Sequence, residues 1–169
     1  MANEFITRQM IESDIEGLAH IFGKWHKFPP QFERYFHLHQ LDKRVVLVAV
    51  LMDDAIQTEE PSLKDGIAGY SNLVWETEYE PFRQEGIPEI VDLNVMTEFQ
   101  RRGIGSALIA AAEDIAREHD KHIIGISVSQ SPGFEAANRL YPKLGYAPDG
   151  RGVTERDNEL HLFKKLCYP

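Results

Sequence analysis

The sequence contains a single cysteine, Cys167, and no surplus of basic residues. One cysteine cannot form a disulfide within the chain, and a two-cysteine redox motif is excluded. The 18 Lys and Arg residues are outnumbered by 27 Asp and Glu, which gives a formal net charge of -9 at pH 7. Because binding to a phosphate backbone depends on clustered Lys and Arg, no nucleic-acid partner is expected.

Long hydrophobic runs are also missing. The longest apolar run, Val45 to Met52, has the length of a strand, whereas a membrane-spanning helix needs about 20 residues. The first ten residues, MANEFITRQM, carry no apolar targeting core. We therefore expect a cytoplasmic protein that does not associate with membranes.

The bulk composition is that of a soluble globular protein. Hydrophobic residues make up 43% of the 169 residues and charged residues 27%, a balance typical of a folded domain. There is no internal repeat, low-complexity tract or break in composition that would mark a linker. The sequence predicts a single domain over residues 1–169.

Hydrophobic periodicity, with Gly and Pro as breaks, predicts the element order β-α-β-β-β-α-β-α-β. The first helix is predicted to begin at Ser13, with Glu16 completing a capping box, and an irregular helical segment is predicted between Trp25 and Gln40. Loops are predicted over residues 53–66 and 77–88. This order indicates an α/β protein with a mixed sheet and helices on both faces. The predicted strands are Phe5–Met10, Arg44–Met52, Ile67–Glu76, Glu89–Val95, Ile123–Val128 and Asn158–Leu166.

The clearest helical pattern begins at Ile104 and ends near His119, and a glycine-containing turn precedes it. The turn reads Gln100-Arg101-Arg102-Gly103-Ile104-Gly105 and follows a predicted strand. A helix N-terminus exposes unpaired N–H groups and the positive end of its dipole, and glycines let a phosphate approach the backbone. Two glycines before a helix also occur in ordinary tight turns, so the glycines alone leave both interpretations open.

The wider pattern decides between them. Residues Val95 to Leu108 read V-x-x-x-F-Q-R-R-G-I-G-S-x-L, which resembles the GNAT superfamily of N-acetyltransferases. A second stretch, Ala137 to Tyr146, is similar to the family's helix ending A-x-x-L-Y-x-x-x-G-F/Y. The resemblance implies a GNAT-like acetyl-CoA-binding fold with a mostly antiparallel central sheet splayed after its fourth strand. It also implies an N-acetyltransferase that uses acetyl-CoA as donor.

The resemblance further implies where acetyl-CoA binds. In the family the loop amides hold the pyrophosphate, and the splayed strand end pairs with the pantetheine arm. Asn138 is a further candidate, or else a solvent-facing helix residue, because Phe134 occupies the place where many members carry a cofactor-binding asparagine. The implied cofactor contacts are Leu93, Asn94, Val95, Gln100, Arg101, Arg102, Gly103, Ile104, Gly105, Ser106 and Asn138.

Acetyl transfer to an amine needs a proton for the departing thiolate and a neutral nucleophile. The resemblance implies that Tyr141 is the general acid, the alternative being a tyrosine that only packs against the sheet. Pro142, the next residue, predicts a kink in the helix that aims the phenol of Tyr141. Several family members carry a carboxylate base where this chain has Val91. Strand alternation makes Glu89 the candidate base, with Asp92 as competitor, and a mechanism without a side-chain base stays open.

The acceptor is less constrained. Glu76, Glu78 and Glu80 alternate and, with Glu85 and Glu89, form either a site for a cationic amine or a solvated acidic edge. We expect a primary amine of a small molecule or peptide as acceptor. His26 and His37-x-His39 lack a recognised metal-ligand pattern, so no metal is expected. Two alternatives remain: an acetyl-CoA sensor of the same fold, and a structural domain without cofactor affinity. The oligomeric state is open, with a homodimer among the alternatives.

Overall fold

The computed structural model describes residues 4–23, 29–52 and 66–168. Seven strands and five helices lie in this part of the chain, together with a short 3-10 turn at Thr97–Phe99. The strands are β1 (Phe5–Gln9), β2 (Arg44–Leu51), β3 (Ile67–Val74), β4 (Glu89–Val95), β5 (Ile123–Ser129), β6 (Ala147–Val153) and β7 (Glu159–Lys165). The helices are α1 (Asp14–Phe22), α2 (Pro29–Gln40), α3 (Glu80–Glu85), α4 (Ile104–Glu118) and α5 (Glu135–Lys143).

The strands are hydrogen-bonded in the order β1-β2-β3-β4-β5-β7-β6. β1 pairs with β2, β5 with β7, and β6 with β7 in the antiparallel sense, whereas β4 and β5 are parallel. A parallel pair requires a crossover connection, which α4 supplies here. The predicted mixed, mostly antiparallel sheet with helices on both faces is confirmed.

Contacts divide the chain into two compact units. The first contains the described residues up to Leu73 together with Asp92–Ala111, and the second contains Val74–Val91 together with the residues from Ala112 onward. β4 and α4 each contribute residues to both. The single domain over residues 1–169 stays a prediction.

In the first unit, Tyr70 of β3 is the centre of an aromatic cluster. Its ring lies edge-on to Phe22 of α1 and Phe32 of α2, with centroid distances of 4.8 and 5.4 Å. All three side chains are fully buried, and each such burial contributes roughly 1.5–3 kcal/mol. Because the Tyr70 hydroxyl is buried too, it needs a hydrogen-bond partner. It finds that partner on β4, as described below.

In the second unit, the buried carboxylate of Glu113 on α4 is fully paired. Lys164 of β7 places Nζ 2.9 Å from each carboxylate oxygen, and the Tyr146 hydroxyl donates at 2.9 Å. Removing one partner of such a buried pair leaves an uncompensated charge, which is strongly destabilising. This cluster therefore fixes α4 to β7 within the unit.

The predicted capping box at Ser13 is wrong. Ser13 has helical backbone angles and makes no side-chain cap. Instead, Asp14 accepts the N–H of Ile11 at 2.8 Å and two hydrogen bonds from the Arg8 guanidinium at 2.7 and 2.8 Å. A bidentate carboxylate–arginine pair is stronger than a neutral hydroxyl cap, so Asp14 organises this end of α1.

Two elements were not predicted. The segment predicted as a loop over residues 77–88 contains α3, which is only six residues long and too short for a recognisable period. β6 reads APDGRGV and is almost entirely exposed, with a register irregularity between Pro148 and Val153. Its proline and glycines favour a turn by sequence, and pairing with β7 holds it as a strand instead.

Candidate cofactor and catalytic sites

The turn before α4 presents a row of unpaired backbone donors. None of the N–H groups from Arg101 to Ser106 donates a hydrogen bond to another described residue. The first bond of the helix runs from the N–H of Ala107 to the carbonyl of Gly103 at 2.9 Å. These donors stand at the positive end of a 15-residue helix, the arrangement that binds anionic groups.

The backbone of this turn has two left-handed residues, Arg101 at φ 60° and Gly103 at φ 84°. A Cβ atom added to Gly103 would meet no atom within 4 Å among residues 4–23, 29–52 and 66–168. The glycine is therefore required by its backbone angle and not by a close neighbour. The space around it leaves the amides approachable, which fits a pyrophosphate group.

The two arginines of the turn differ in their surroundings. The Arg102 guanidinium lies 5.3 Å from the centre of the Phe99 ring and 3.7 Å from the carboxylate of Glu4. Arg101 is exposed and forms no ion pair with any described residue. Among the described residues, the charge of Arg102 is partly compensated and that of Arg101 is not.

The strand that leads to the turn leaves its parallel neighbour early. β4 is paired with β5 at Glu89 and Ile90, opposite Gly125 and Ile126. The predicted pantetheine-binding residues Leu93, Asn94 and Val95 lie beyond the last of these pairs, as expected for a sheet splayed after its fourth strand. The side-chain amide of Gln100 donates to the Val95 carbonyl at 3.1 Å and so ties the turn to the strand end.

Asp92 interrupts the regular alternation that was predicted for β4. Its φ of 55° is left-handed, so the strand is not uniformly extended. The carboxylate accepts hydrogen bonds from the Tyr35 and Tyr70 hydroxyls at 2.8 and 3.0 Å and from the Asn94 side chain at 2.9 Å. These partners hold the carboxylate within the first unit, and Asp92 as the competing base stays a prediction.

The same network affects its tyrosines. Burial first, and the Asp92 carboxylate second, raise the pKa of Tyr35 to about 12. The same two causes raise the pKa of Tyr70 further. Both phenols therefore remain hydrogen-bond donors at neutral pH.

Gly69→Ala is predicted to disturb this strand end. A Cβ atom there would lie 2.8 Å from the Asn94 carbonyl oxygen and 3.3 Å from Cγ2 of Val95. Backbone must then shift, at a cost of about 1–3 kcal/mol in free energy of unfolding, measurable by urea denaturation. Gly23→Ala is the control, because the added methyl meets no atom of a described residue within 4 Å. Equal stability of the two variants would contradict the prediction.

In the second unit, Glu89 is a buried carboxylate with two neighbours. It is 2% exposed. Oε2 accepts a hydrogen bond from the Thr77 hydroxyl. Oε1 lies 3.5 Å from Nε2 of His161 and accepts no hydrogen bond from a described residue.

Burial raises the pKa of Glu89 to about 7. Repulsion by Glu159 raises this pKa as well, whereas the hydroxyls of Thr77 and Ser127 oppose the shift. Burial lowers the pKa of His161, so its imidazole is neutral at pH 7. A carboxyl group that titrates near neutral pH can accept and release a proton during turnover.

Tyr141 of α5 is 5% exposed, and its ring centre lies 6.4 Å from that of Tyr146. Burial raises the pKa of Tyr141 to about 12. Its phenol therefore keeps its proton at neutral pH, as a general acid must. Pro142 lies inside α5, which continues to Lys143, so the helix does not end at the proline.

The Asn138 side chain makes three hydrogen bonds. Its amide nitrogen donates to the carbonyls of Ser129 and Phe134, each at 3.0 Å, and its oxygen accepts from Gln130 at 2.9 Å. One amide hydrogen thus joins α5 to the end of β5, and the other is used within the start of α5. A cofactor contact by Asn138 stays a prediction.

The prediction that Glu76, Glu78 and Glu80 alternate along the end of a strand and its loop placed the end of β3 at Glu76, which is wrong. β3 ends at Val74 and α3 begins at Glu80, so these residues do not share a strand. Glu78 lies 3.7 Å from the Arg156 guanidinium, and Glu80 accepts from Gln84 at 2.9 Å. Their surroundings are those of exposed charged residues.

Within residues 4–23, 29–52 and 66–168, no group of three or more His, Cys, Asp or Glu residues is placed to hold a metal ion. His26 lies outside the described residues. Of the helices described, none has both the length and the apolar character to cross a membrane. The cytoplasmic location stays a prediction.

The sheet, the parallel β4–α4–β5 crossover and the donor-rich turn define an acyltransferase fold. The acetyltransferase (GNAT) family matches residues 15–146, and the chain belongs to this family. The resemblance found in the motifs is thereby confirmed.

Solved structures agree with this fold. PaiA N-acetyltransferase of Thermoplasma acidophilum, in complex with coenzyme A, is 16% identical, with a TM-score of 0.68 over 98% of this chain and 99% of that chain. The yncA protein of Salmonella typhimurium, with acetyl-CoA, is 19% identical, with a TM-score of 0.70 over 99% and 96%. A ribosomal-protein-alanine N-acetyltransferase of Brucella melitensis is 19% identical, with a TM-score of 0.67 over 95% and 99%. No curated protein matches the chain in sequence.

Proposed function

We propose that this chain transfers the acetyl group of acetyl-CoA directly to a primary amine of a small molecule or peptide. The observation that carries the proposal is the row of N–H groups from Arg101 to Ser106, at the start of α4, that have no partner in the part of the chain that the structure describes. Acetyl-CoA supplies the activated thioester. Similar folds are known with coenzyme A and with acetyl-CoA bound, which supports this donor.

Some residues of the turn bind the donor, and others keep the turn in place. The amides of Gly103, Ile104, Gly105 and Ser106 bind the pyrophosphate, and Arg101 adds positive charge. Gln100 and Arg102 keep the turn in place through Val95 and Phe99. Because the chain carries a net charge of -9, the binding energy for a polyanion has to come from this local group of donors.

In the proposed reaction, Glu89 accepts the proton that the amine loses, and Tyr141 donates a proton to the departing thiolate. Direct transfer fits the cysteine content, because Cys167 is the only cysteine and lies exposed after β7. No cysteine is therefore placed within the sheet or helices to carry an acyl group. The ribosomal-protein-alanine N-acetyltransferase of similar fold supports a peptide amine as one acceptor class.

Arg101→Gln is expected to weaken coenzyme A binding by about 10- to 100-fold at low ionic strength, since one charge-assisted hydrogen bond contributes about 1.5–3 kcal/mol. Calorimetric titration measures this, and the effect shrinks as salt is added. Lys165→Gln is the matched control, because it removes the same charge from an exposed position on β7. Equal affinities of the two variants would contradict the assignment of Arg101.

A panel of amines tests the transfer itself. With acetyl-CoA present, thiol release is expected to rise above the rate of hydrolysis for at least one primary amine. Polyamines, aminoglycosides and peptides with a free N-terminus are the classes to include. Tight coenzyme A binding without amine-dependent thiol release would favour the sensor alternative, and no binding at all would overturn both.

A further inference from the structure

A second titratable side chain, His161, is buried beside Glu89. Glu89, Thr77 and His161 are all almost fully buried, at 2%, 3% and 4% exposure. Thr77 occupies one carboxylate oxygen, Oε2. The other oxygen, Oε1, accepts no hydrogen bond from a described residue and lies 3.5 Å from Nε2 of His161.

The His161 ring is held in place by aromatic contacts. It is stacked on Tyr79 with a centroid distance of 3.6 Å and an interplanar angle of 12°. Phe82 lies edge-on to it at 5.8 Å. The Tyr79 hydroxyl in turn donates to Asp149 at 2.5 Å, so the stacking partner is itself anchored. The imidazole is therefore restricted to an orientation in which Nε2 faces Glu89.

We propose that His161 is a positioning residue for Glu89: its neutral imidazole, clamped by Tyr79, directs the Nε2–H bond dipole at Oε1 and stabilises the ionised carboxylate. This inference rests on the proposed function, in which Glu89 acts as the base. His161 touches neither substrate nor donor in this role. It sets the pH at which Glu89 becomes able to accept a proton.

Other charged and polar groups face this pair and define its electrostatics. Glu159 repels the Glu89 carboxylate, and the Ser127 hydroxyl stabilises it. Asp149 and Asp157 raise the pKa of His161, but burial lowers it by more. The imidazole is therefore neutral when Glu89 titrates. Its influence on Glu89 comes from an N–H dipole and not from a full positive charge.

The direct test is a carbon-13 NMR titration of the Glu89 carboxyl group, assigned with Glu89→Gln. In His161→Phe, which keeps an aromatic ring for Tyr79 to stack on, the titration midpoint is expected to rise by about one pH unit, because the N–H dipole that faces the charged form is lost. His161→Gln keeps an N–H donor and is expected to shift the midpoint less. Tyr79→Phe, which keeps the stacked ring, is the control and should titrate near wild type.

An unchanged or lowered midpoint in His161→Phe would overturn the inference, and so would equal shifts in His161→Phe and Tyr79→Phe. If His161→Phe does not fold, His161→Leu, which also removes the N–H group, takes its place, and a midpoint identical to wild type in that variant overturns the inference. The kcat/KM profile separates the two proposals. If the NMR midpoint shifts in His161→Phe but Glu89→Gln leaves the kcat/KM profile unchanged, His161 positions Glu89 and Glu89 is not the base. If Glu89→Gln loses the ascending limb of the kcat/KM profile but the NMR midpoint does not shift in His161→Phe, Glu89 is the base and the role of His161 is overturned.

Discussion

Tyr141→Phe is expected to lower kcat by about 10²- to 10⁴-fold, the range by which a well-placed general acid contributes. Affinity for coenzyme A should stay close to wild type, because the donor-rich turn before α4 is untouched. Single-turnover acetyl transfer and calorimetric titration measure the two quantities separately. The phenylalanine ring fills the same buried space, so the fold of α5 is retained.

The physical reason for this large effect is that a thiolate leaves poorly without a proton. Burial holds the pKa of Tyr141 at about 12, so the phenol is protonated at every pH at which the enzyme would operate. The phenol can therefore donate a proton throughout this range, and its own deprotonation causes no fall in kcat near neutral pH.

Tyr146→Phe is the matched control for this experiment. Tyr146 is also buried, and its hydroxyl donates to Glu113 at 2.9 Å, so its removal should reduce the free energy of unfolding by about 1–3 kcal/mol. It should not reduce kcat. Wild-type turnover in Tyr141→Phe, or equal losses of turnover in both variants, would remove Tyr141 from the mechanism.

The parts of the fold closest to the proposed donor site were also the most predictable from sequence. β4 has the predicted bounds, Glu89 to Val95, and α4 begins at the predicted residue, Ile104. Both are specified locally: β4 by its apolar residues, and α4 by a strong helical period directly after Gly103. α3 and β6 were missed because one is six residues long and the other carries the residues of a turn. Sheet pairing, which no local pattern encodes, makes β6 a strand.

The candidate site shows the same division between local and non-local signals. The turn from Gln100 to Ser106 is a continuous motif, and its donors are on the backbone, so a local reading found it. The partners of Glu89 come from the loop after β3 and from β7, and Tyr35 meets Asp92 across 57 residues of sequence. Thr77 and His161 therefore gave no signal. Only a correct strand order would have placed His161 opposite Ser127, two residues beyond the Gly125 that pairs with Glu89.

Glu89→Gln is expected to have the second large effect, and it acts on the pH profile. In wild type, kcat/KM should rise with pH through an apparent pKa of about 7, as the Glu89 carboxyl loses its proton. The amide cannot accept a proton, so kcat/KM above pH 8 should fall about 10²-fold, and the limb near pH 7 should disappear. A limb that remains at higher pH belongs to the amine itself.

Glu159→Gln is the control for this profile. Glu159 is half-buried and raises the pKa of Glu89 by repulsion, so its removal should keep the limb but move it to lower pH. An unchanged limb near pH 7 in Glu89→Gln would show that another group titrates there, and the base would then be absent or elsewhere.

Stability gives an independent reading of the same carboxyl group. Its pKa is raised from the model-peptide value of 4.5 to about 7 in the folded protein, so the folded state binds the proton more tightly than the unfolded state. The stabilisation is complete below about pH 4.5 and is lost as pH rises through 7, by on the order of 3 kcal/mol. Glutamine does not titrate. The free energy of unfolding of Glu89→Gln, relative to that of wild type, should therefore increase by about that amount between pH 5 and pH 8.5. Urea denaturation at each pH measures this difference. A constant difference between the two proteins would mean that Glu89 is ionised throughout this range, and a carboxylate already ionised at pH 5 could not produce the limb near pH 7.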